Sequence, residues 1–375
     1  MQSSVWFLHG AGFLFDSPDW EGPASWVKQR NQDVWQTFEE LLALCLKERI
    51  DLLLLTGNLF EQEFVKKETV ERVARSLARL NGTRVFIAPG EKDPMVTTSA
   101  YRLSEWPENV HIFAGGMSRI ALPALNLSVY GSGWIAYRRE EADLPTDFQM
   151  ADDEEEIRLM LLHAGAETLT IPASGLNYLA LGSRENWSGI QQTGKTYWAD
   201  CGSIEARSFR AEGPHGVILG HLEGTSAQFE FLELGRRRYR EKSLRLQPET
   251  DIKAAAKGIL ADIEEQERAK DVFRIRLTGS FPETEDPATA LQKRLEEKLA
   301  YVEVLFSGDD TTEPANPPEE AEQLREERFA TFRRIFAYRL QIRCVGAEKA
   351  EDQVYWQLVQ KIGLSALGQG REDEN

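Results

Sequence analysis

The chain has 375 residues, of which 42% are hydrophobic and 28% are charged, and its formal net charge is -17. That length fits two or three globular domains, and no apolar run approaches the roughly 18 residues that a membrane span needs. The acidic balance argues against a protein that holds nucleic acid by bulk electrostatics, because such proteins are usually basic.

The first quarter of the sequence alternates strand and helix signals. An apolar Val-Trp-Phe-Leu run near the N-terminus predicts a buried strand rather than a signal peptide, and a glycine-rich loop follows it. The predicted elements are a strand at 5–8, a helix at 24–49, a strand at 51–56, a helix at 66–80 and a strand at 85–88. This pattern is typical of a doubly wound α/β layer, whose loops at the C-terminal ends of the strands usually carry the site.

Later segments predict a second layer and a smaller unit. Few helices separate the next strands, which indicates a β-sandwich-like layer; these strands are predicted at 126–131, 158–163, 177–182 and 216–222. After Arg240 we expect a small α+β unit with a helix at 251–269, a strand at 272–278, a helix at 287–299 and a strand at 301–306. The predicted domains are residues 1–240, a cap at 241–306, an acidic proline-bearing linker at 307–318 and a helical hairpin at 319–375.

Six short segments lie at or close after predicted strand ends. They read HGAGFLFDSP at 9–18, GNLFE at 57–61, PGEKD at 89–93, LLHAG at 161–165, YLALGSRE at 178–185 and CGSIE at 201–205. In order and at similar spacing, they resemble motifs of the SbcD-type nucleases of double-strand-break repair, which are calcineurin-like metallophosphoesterases. The resemblance covers about residues 4–306. It implies a layered α/β sandwich with a small α+β cap and a C-terminal helical hairpin.

The departures from the family pattern fall on the metal ligands. Such enzymes hold two divalent ions about 4 Å apart, which clamp the attacking and leaving oxygens. Position by position, the resemblance places Gly12, Leu14, Asn58, Glu91, Ser183 and Glu185 where the family has ligands, and only His163 is unchanged. Gly12 and Leu14 cannot bind a metal, and the neutral amide of Asn58 is a poor bridge between two dications.

The catalytic histidine of the family is also replaced. Lys92 occupies that position, with Asp93 beside it. An ordinary lysine has a pKa of about 10.4 and therefore transfers protons poorly near neutral pH. The resemblance thus predicts a protein that keeps the fold and lacks the catalytic group.

Two interpretations of this pocket remain open. In the first the pocket is degenerate, with no catalytic residue and no metal, and Lys92 and Arg184 neutralise Glu91, Glu185 and Asp93 where metal once did. In the second, a rebuilt site holds a single Mn or Mg ion through His163, Asn58 and Glu91, with Glu185 as a further ligand. Gly12 and Leu14 discriminate between them, because no rotamer restores those two ligands.

Other polar residues have simpler expected roles. The remaining histidines show no metal-like spacing and are expected to be structural: His9, His111, His215 and His221. The one basic cluster contains Arg236, Arg237, Arg238 and Arg240, followed by Lys242 and Arg245. This cluster is either a contact for phosphate groups or a solvated hairpin turn on an acidic protein.

The two C-terminal helices, predicted at about 319–343 and 348–362, each carry an apolar stripe. The stripes comprise Phe329, Phe332, Ile335 and Phe336 on the first helix and Tyr355, Leu358, Val359 and Ile362 on the second. A stripe of this kind predicts burial against another surface. SbcD-type chains end in a hairpin that grips the coiled coil of their ATPase, so the resemblance implies a similar partner here; packing of the two helices on each other or on the cap is the alternative.

These observations predict a non-catalytic subunit that scaffolds or regulates a coiled-coil SbcC-type ATPase in DNA repair or processing. The alternative is an active metal-dependent exonuclease or phosphoesterase with an altered site. DNA is expected to bind weakly or only within a complex, and the resemblance also implies a homodimer. The three cysteines form no CxxC pair, which predicts a cytoplasmic protein without disulfides.

Overall fold

The computed structural model describes residues 4–136, 156–211, 213–247, 250–279 and 286–306. The chain divides between Asp309 and Asp310 into two units, and every described residue lies in the first. The predicted linker at 307–318 and the predicted hairpin at 319–375 therefore lie outside the described residues. None of the helices in the described part is long and apolar enough to span a membrane.

The elements alternate as the apolar runs predict over the first ninety residues. In chain order they are β1 (Ser4–Gly10), α1 (Val27–Lys47), β2 (Leu52–Leu55), α2 (Lys67–Leu77), β3 (Arg84–Ile87), β4 (Val110–Ile112), β5 (Ser118–Leu122) and β6 (Leu127–Ser132). The next are β7 (Ile157–Leu162), β8 (Tyr178–Leu181), β9 (Gln191–Thr193), β10 (Thr196–Asp200), β11 (Gly216–Glu223), β12 (Ser226–Glu233) and β13 (Tyr239–Leu246). The last are α3 (Ile252–Ala261), α4 (Glu265–Lys270), β14 (Val272–Gly279), α5 (Pro287–Leu295) and β15 (Tyr301–Phe306).

Two six-stranded sheets form the sandwich. Their strand orders are β12-β11-β1-β2-β3-β4 and β5-β6-β7-β8-β10-β9. The inner faces meet in one buried cluster in which Phe7, Leu54 and Phe86 of the first sheet join Val129 and Leu159 of the second. The predicted layered α/β sandwich is confirmed.

Of the two sandwich sheets, only the first is covered by α-helices among the described residues. Strands β1 to β4 are parallel, so each crossover needs a connection over a sheet face, and α1 and α2 supply two of them. Val34, Phe38 and Leu41 of α1 pack on the outer face of β1 and β2 with Val70 and Val73 of α2. On the other side, the strand ends of the two sheets meet: His163, which follows β7, contacts the Thr56 carbonyl oxygen, which follows β2.

The cap is a third sheet, with strands in the parallel order β13-β14-β15. Helices α3 and α5 cover one face through Ile259 and Leu295, which meet Ile275. The helix predicted at 251–269 is wrong as one element, because it breaks between Ala261 and Glu265 into α3 and α4. The hairpin-turn interpretation of the basic cluster is also wrong in part, because Arg240 lies within β13.

The opposite face of the cap contacts the sandwich. Phe209 packs edge-on against Tyr239, with ring centroids 4.8 Å apart, in a buried cluster that includes Val272. The Arg274 guanidinium lies 3.8 Å from the Phe209 ring centroid and pairs with Glu21 at 2.6 Å. Polar and aromatic contacts therefore fix the cap beside the loop that follows β10.

Candidate functional site at the strand ends

The first two loops are joined backbone to backbone. Gly12 N donates to Gly57 O at 3.1 Å, and Leu14 N donates to Asn58 O at 2.9 Å. Five of their residues take left-handed backbone angles: Gly12, Leu14, Asp16, Gly57 and Asn58. A leucine in this conformation is strained, so the loop path is imposed by the surrounding hydrogen bonds rather than by local preference.

Asp93 holds the second and third loops together. Its carboxylate is fully buried and accepts hydrogen bonds from the backbone N–H groups of Asn58, Leu59, Phe60 and Gly90, at 2.6–3.2 Å. Tyr101 Oη also donates to it at 2.6 Å, and burial together with the Asp93 charge raises the pKa of Tyr101 well above its usual value. Backbone donors thus stabilise the charge of Asp93. The expectation that a lysine or an arginine neutralises this charge is wrong.

His163 and Asn58 lie side by side above Gly57 and Gly90. A Cβ added at Gly57 would lie 2.5 Å from His163 Nδ1, and one added at Gly90 would lie 2.5 Å from Asn58 Oδ1. A larger residue at either position would clash with these side chains, so both positions require glycine. Gly57 also has a φ of +84°, which favours glycine. His163 Nδ1 donates to Thr56 O at 2.9 Å, which leaves Nε2 with a lone pair.

A buried polar chain lies beneath these loops. His9 contacts Tyr178 Oη through Nδ1 at 2.9 Å and Thr56 Oγ1 through Nε2 at 3.0 Å, and its side chain is fully buried. Burial lowers the pKa of His9 to about 3, so the imidazole is neutral at physiological pH. The structural role expected for His9 fits this placement.

This depressed pKa makes stability sensitive to pH. The unfolded chain binds a proton at His9 below about pH 6.5, whereas the folded chain does so only near pH 3, so acidification favours unfolding throughout that window. From pH 7 to pH 5 we expect His9 to remove about 2 kcal/mol from the free energy of unfolding. Urea titrations of the wild type and His9→Gln across pH 5–8 measure this. The difference between the two proteins should be constant above pH 7 and should change below it, and parallel curves over the whole range would contradict the assignment.

The fifth loop is held by hydrogen bonds to Asp200. The Asp200 carboxylate accepts from Ser183 N at 2.9 Å, Arg184 N at 3.1 Å and Gly202 N at 3.0 Å. Burial raises the pKa of Asp200, and these three donors oppose that rise. Because the donors are backbone groups, the loop keeps its path whatever side chain stands at position 183.

The charge pairs at this loop differ from those expected. Arg184 pairs with Glu167 at 2.8 Å, and the Glu185 carboxylate accepts from Ser208 Oγ at 2.7 Å. Lys92 is exposed and has no ion pair with any described residue. The expectation that Lys92 and Arg184 neutralise Glu91 and Glu185 is therefore wrong.

The residues at the family's ligand positions do not fit a dinuclear centre. Within the parts of the chain that the structure describes, no three His, Cys, Asp or Glu side chains are placed to hold one metal ion. Asn58 Oδ1 already accepts from Lys92 N at 3.0 Å, and Glu91 is exposed. His163 Nε2 is the nitrogen ligand that remains, and one imidazole does not make a two-metal clamp.

Each member of the basic cluster has a carboxylate partner. Arg236 pairs with Glu40, Arg237 with Asp33 and Arg238 with Glu233, each at 2.6 Å. Arg240 pairs with both Glu267 and Asp271, at 2.6 and 2.7 Å. A phosphate group would compete with these carboxylates, so phosphate contact stays a prediction that this geometry does not favour.

With this geometry established, similarity to known proteins becomes informative. The chain is 23% identical over 260 residues to the uncharacterized metallophosphoesterase YhaO of Bacillus subtilis. That match supports a relationship between this chain and the metallophosphoesterase superfamily. It covers 62% of this chain and 60% of the relative, so the chain spans less than two thirds of the relative's length. No family model matches the sequence.

Two solved structures align with part of the chain. The protein TT1561 of Thermus thermophilus aligns over 61% of this chain and 99% of its own, with a TM-score of 0.37 and 10% identity. A dimetal phosphatase from Danio rerio aligns over 60% of this chain and 98% of its own, with a TM-score of 0.37 and 9% identity.

Sequence reasoning missed three groups that shape this region. Asp200 and the Thr56 hydroxyl lie at strand ends, but their partners are distant in sequence and leave no local motif. Glu61 is the last residue of the second motif, and its buried side chain has no hydrogen-bond partner among the described residues. The burial of this acid is visible only in three dimensions.

Proposed function

We propose that this chain is a non-catalytic subunit resembling the SbcD-type nucleases, which scaffolds or regulates a coiled-coil ATPase in DNA repair or DNA processing. One observation carries the catalytic part of this proposal. At the seven positions that the resemblance assigns to ligands only His163 is unchanged, and no three His, Cys, Asp or Glu side chains of the described residues are placed to hold one ion. Backbone donors to Asp93 and Asp200 fix the loops around these positions.

The partner part of the proposal rests on the sequence pattern. The two apolar stripes of residues 319–375 lie outside the described residues, and the family resemblance assigns such a hairpin to the ATPase. Strand β15 ends at Leu305 and Phe306, which are exposed by 39% and 42%. The described body thus ends in apolar residues that lead into the proposed partner element.

A single-metal enzyme is the second candidate. The lone pair on His163 Nε2 and the nearby Asn58 favour it, because together they offer one imidazole and one amide to an ion. Glu91 and Glu185 would have to turn inward to complete the ligand set, and Glu185 would have to leave Ser208.

The full chain, purified alone and after co-expression with a coiled-coil SbcC-type ATPase, tests both candidates. We expect no tightly bound manganese by elemental analysis and no manganese-dependent cleavage of linear duplex DNA, because the transition-state clamp and the catalytic histidine are both absent. Cleavage that disappears in His163→Ala but persists in His111→Ala would establish the single-metal enzyme instead.

Restoration provides the positive control. Gly12→Asp, Leu14→His, Asn58→Asp, Glu91→Asn, Lys92→His, Ser183→His and Glu185→His, made together, should revive metal binding if the loops follow the family's path. In the co-expression arm the full chain should retain the ATPase, and a chain that ends at Thr312 should not. Equal retention by the two chains would remove the hairpin from the proposal.

A further inference from the structure

An acidic pocket lies beside the strand-end loops, at the outer ends of the first three. Its volume is about 370 Å³, and its charged lining consists of Asp19, Glu61, Glu63, Glu91 and Lys92. Four carboxylates thus face one ammonium group. A pocket of this charge repels phosphate, so it does not suit the nucleic-acid backbone that a nuclease would bind.

Glu61 is the unusual member of this lining. Its side chain is only 7% exposed, and it forms no hydrogen bond or ion pair with any residue in the described ranges. Burial raises the pKa of the Glu61 carboxyl, and the charges of Lys92 and Arg207 only partly oppose this. A buried carboxylate that faces a cavity without a partner is costly unless a cation occupies the cavity.

The walls of the pocket are fixed in place. Glu61 N donates to Phe15 O at 3.2 Å, and Gln62 N donates to Lys92 O at 3.0 Å. The Gln62 side chain accepts from Ala100 N at 2.7 Å and donates to Thr98 O at 2.5 Å. These bonds tie the second loop to the first and to the third, so the backbone around Glu61 and Lys92 is fixed before a ligand binds.

The lining indicates which kind of cation fits. No three His, Cys, Asp or Glu side chains of the described chain are placed to hold one metal ion. The half-exposed Phe64 ring adds an apolar surface to the same lining. Carboxylates that form no metal site, together with an apolar surface, match a chain of methylene groups that carries ammonium groups at intervals.

We propose that this pocket binds a linear polyamine, with one ammonium group donating to Glu61 and the methylene chain packing on Phe64. Asp19, Glu63 and Glu91 then pair with the remaining ammonium groups at the rim. Lys92 weakens binding, because it is a like charge at the same rim. Ligand binding here goes beyond the proposed subunit function and does not depend on it, since it involves neither the ATPase nor DNA cleavage.

Calorimetric titration of the full chain with spermidine tests the proposal. We expect saturable binding that Glu61→Gln weakens about tenfold or more, because a charged hydrogen bond is lost. Glu105→Gln is the matched control, since it removes the same charge from an exposed site outside the pocket and should leave the affinity unchanged. Lys92→Ala should tighten binding about threefold by removing the like charge.

Several results would overturn the proposal. One is the absence of saturable binding to the wild type, and another is equal weakening by Glu61→Gln and Glu105→Gln, which would show general attraction to an acidic chain. Competition by Mg²⁺ at the same concentration as spermidine would show a site for inorganic cations, and tighter binding of trilysine would show a peptide site. Should Glu61→Gln unfold, Lys92→Ala decides the matter, and a loss of affinity in that variant contradicts the proposal.

Discussion

Replacing Glu205 with alanine is expected to lower the free energy of unfolding by about 3–5 kcal/mol. Glu205 is fully buried and accepts hydrogen bonds from Arg30, from the Thr37 hydroxyl and from Arg236 N. Arg30, also fully buried, pairs in turn with Asp33 at 2.6 Å. Loss of Glu205 would therefore leave a buried guanidinium short of negative charge.

The size of the effect follows from the balance of charge in this cluster. Two cations, Arg30 and Arg237, face two carboxylates, Asp33 and Glu205, and solvent reaches almost none of them. The cluster joins α1 to the loop after β10 and to the start of the cap. Removing one carboxylate would therefore leave excess positive charge where these three segments meet.

Equilibrium urea unfolding measures this loss. Glu233→Ala is the control, because Glu233 pairs with Arg238 and both side chains are about one third exposed. An exposed pair of that kind contributes less than about 1 kcal/mol. If Glu205→Ala costs no more than the control, water has entered the cluster and the buried charge balance is not what stabilises it.

Replacing Asp93 with alanine is also expected to lower the free energy of unfolding strongly, by about 4 kcal/mol. The substitution leaves four backbone N–H groups and the Tyr101 hydroxyl without their acceptor in a region that solvent does not reach. Each buried unsatisfied donor costs about 1–3 kcal/mol, and partial relaxation of the loops reduces the sum.

Asp16→Ala is the matched control for this variant. Asp16 also bridges two segments, accepting from Lys66 N at 3.0 Å and from Thr69 Oγ1 at 2.7 Å, but it is partly exposed. We expect it to cost about 1 kcal/mol, as for an ordinary hydrogen-bonded side chain. Thermal or urea unfolding compares the two, and equal losses would show that burial of Asp93 contributes nothing special.

Strands that consist of an unbroken run of apolar residues could be predicted from the sequence. Leu52–Leu55 and Tyr178–Leu181 are buried on both faces, so their unbroken apolar runs are diagnostic. Strand β13 carries three consecutive charged residues, Arg240, Glu241 and Lys242, so its sequence resembles a turn. Strands β4 and β9 have three residues each, which is too short for any periodicity to appear.

At the site, the sequence indicated where the motifs depart from the family pattern but not how the loops are fixed. The substitutions at Gly12, Leu14 and Asn58 can be read directly against a family motif. The loops are fixed in part by backbone N–H groups that donate to Asp93 and Asp200, and such donors have no sequence signature. The ion-pair partner of Arg184 could not be predicted either. Glu167 and Glu185 are both carboxylates, and only the path of the loop brings Glu167 to Arg184.

The parallel pairing of β15 has a mechanical consequence. This edge strand matches β14 over six residue pairs, from Val272 opposite Tyr301 to Leu277 opposite Phe306, and Arg274 forms an ion pair with Glu303 across them. Tension applied at Phe306 along the strand axis would load these pairs in shear, so that they resist together, whereas a sideways pull would peel them one at a time. A force that reaches the cap through the chain after residue 306 is therefore resisted most strongly when it acts along β15. The cap sheet is mechanically strongest in that direction.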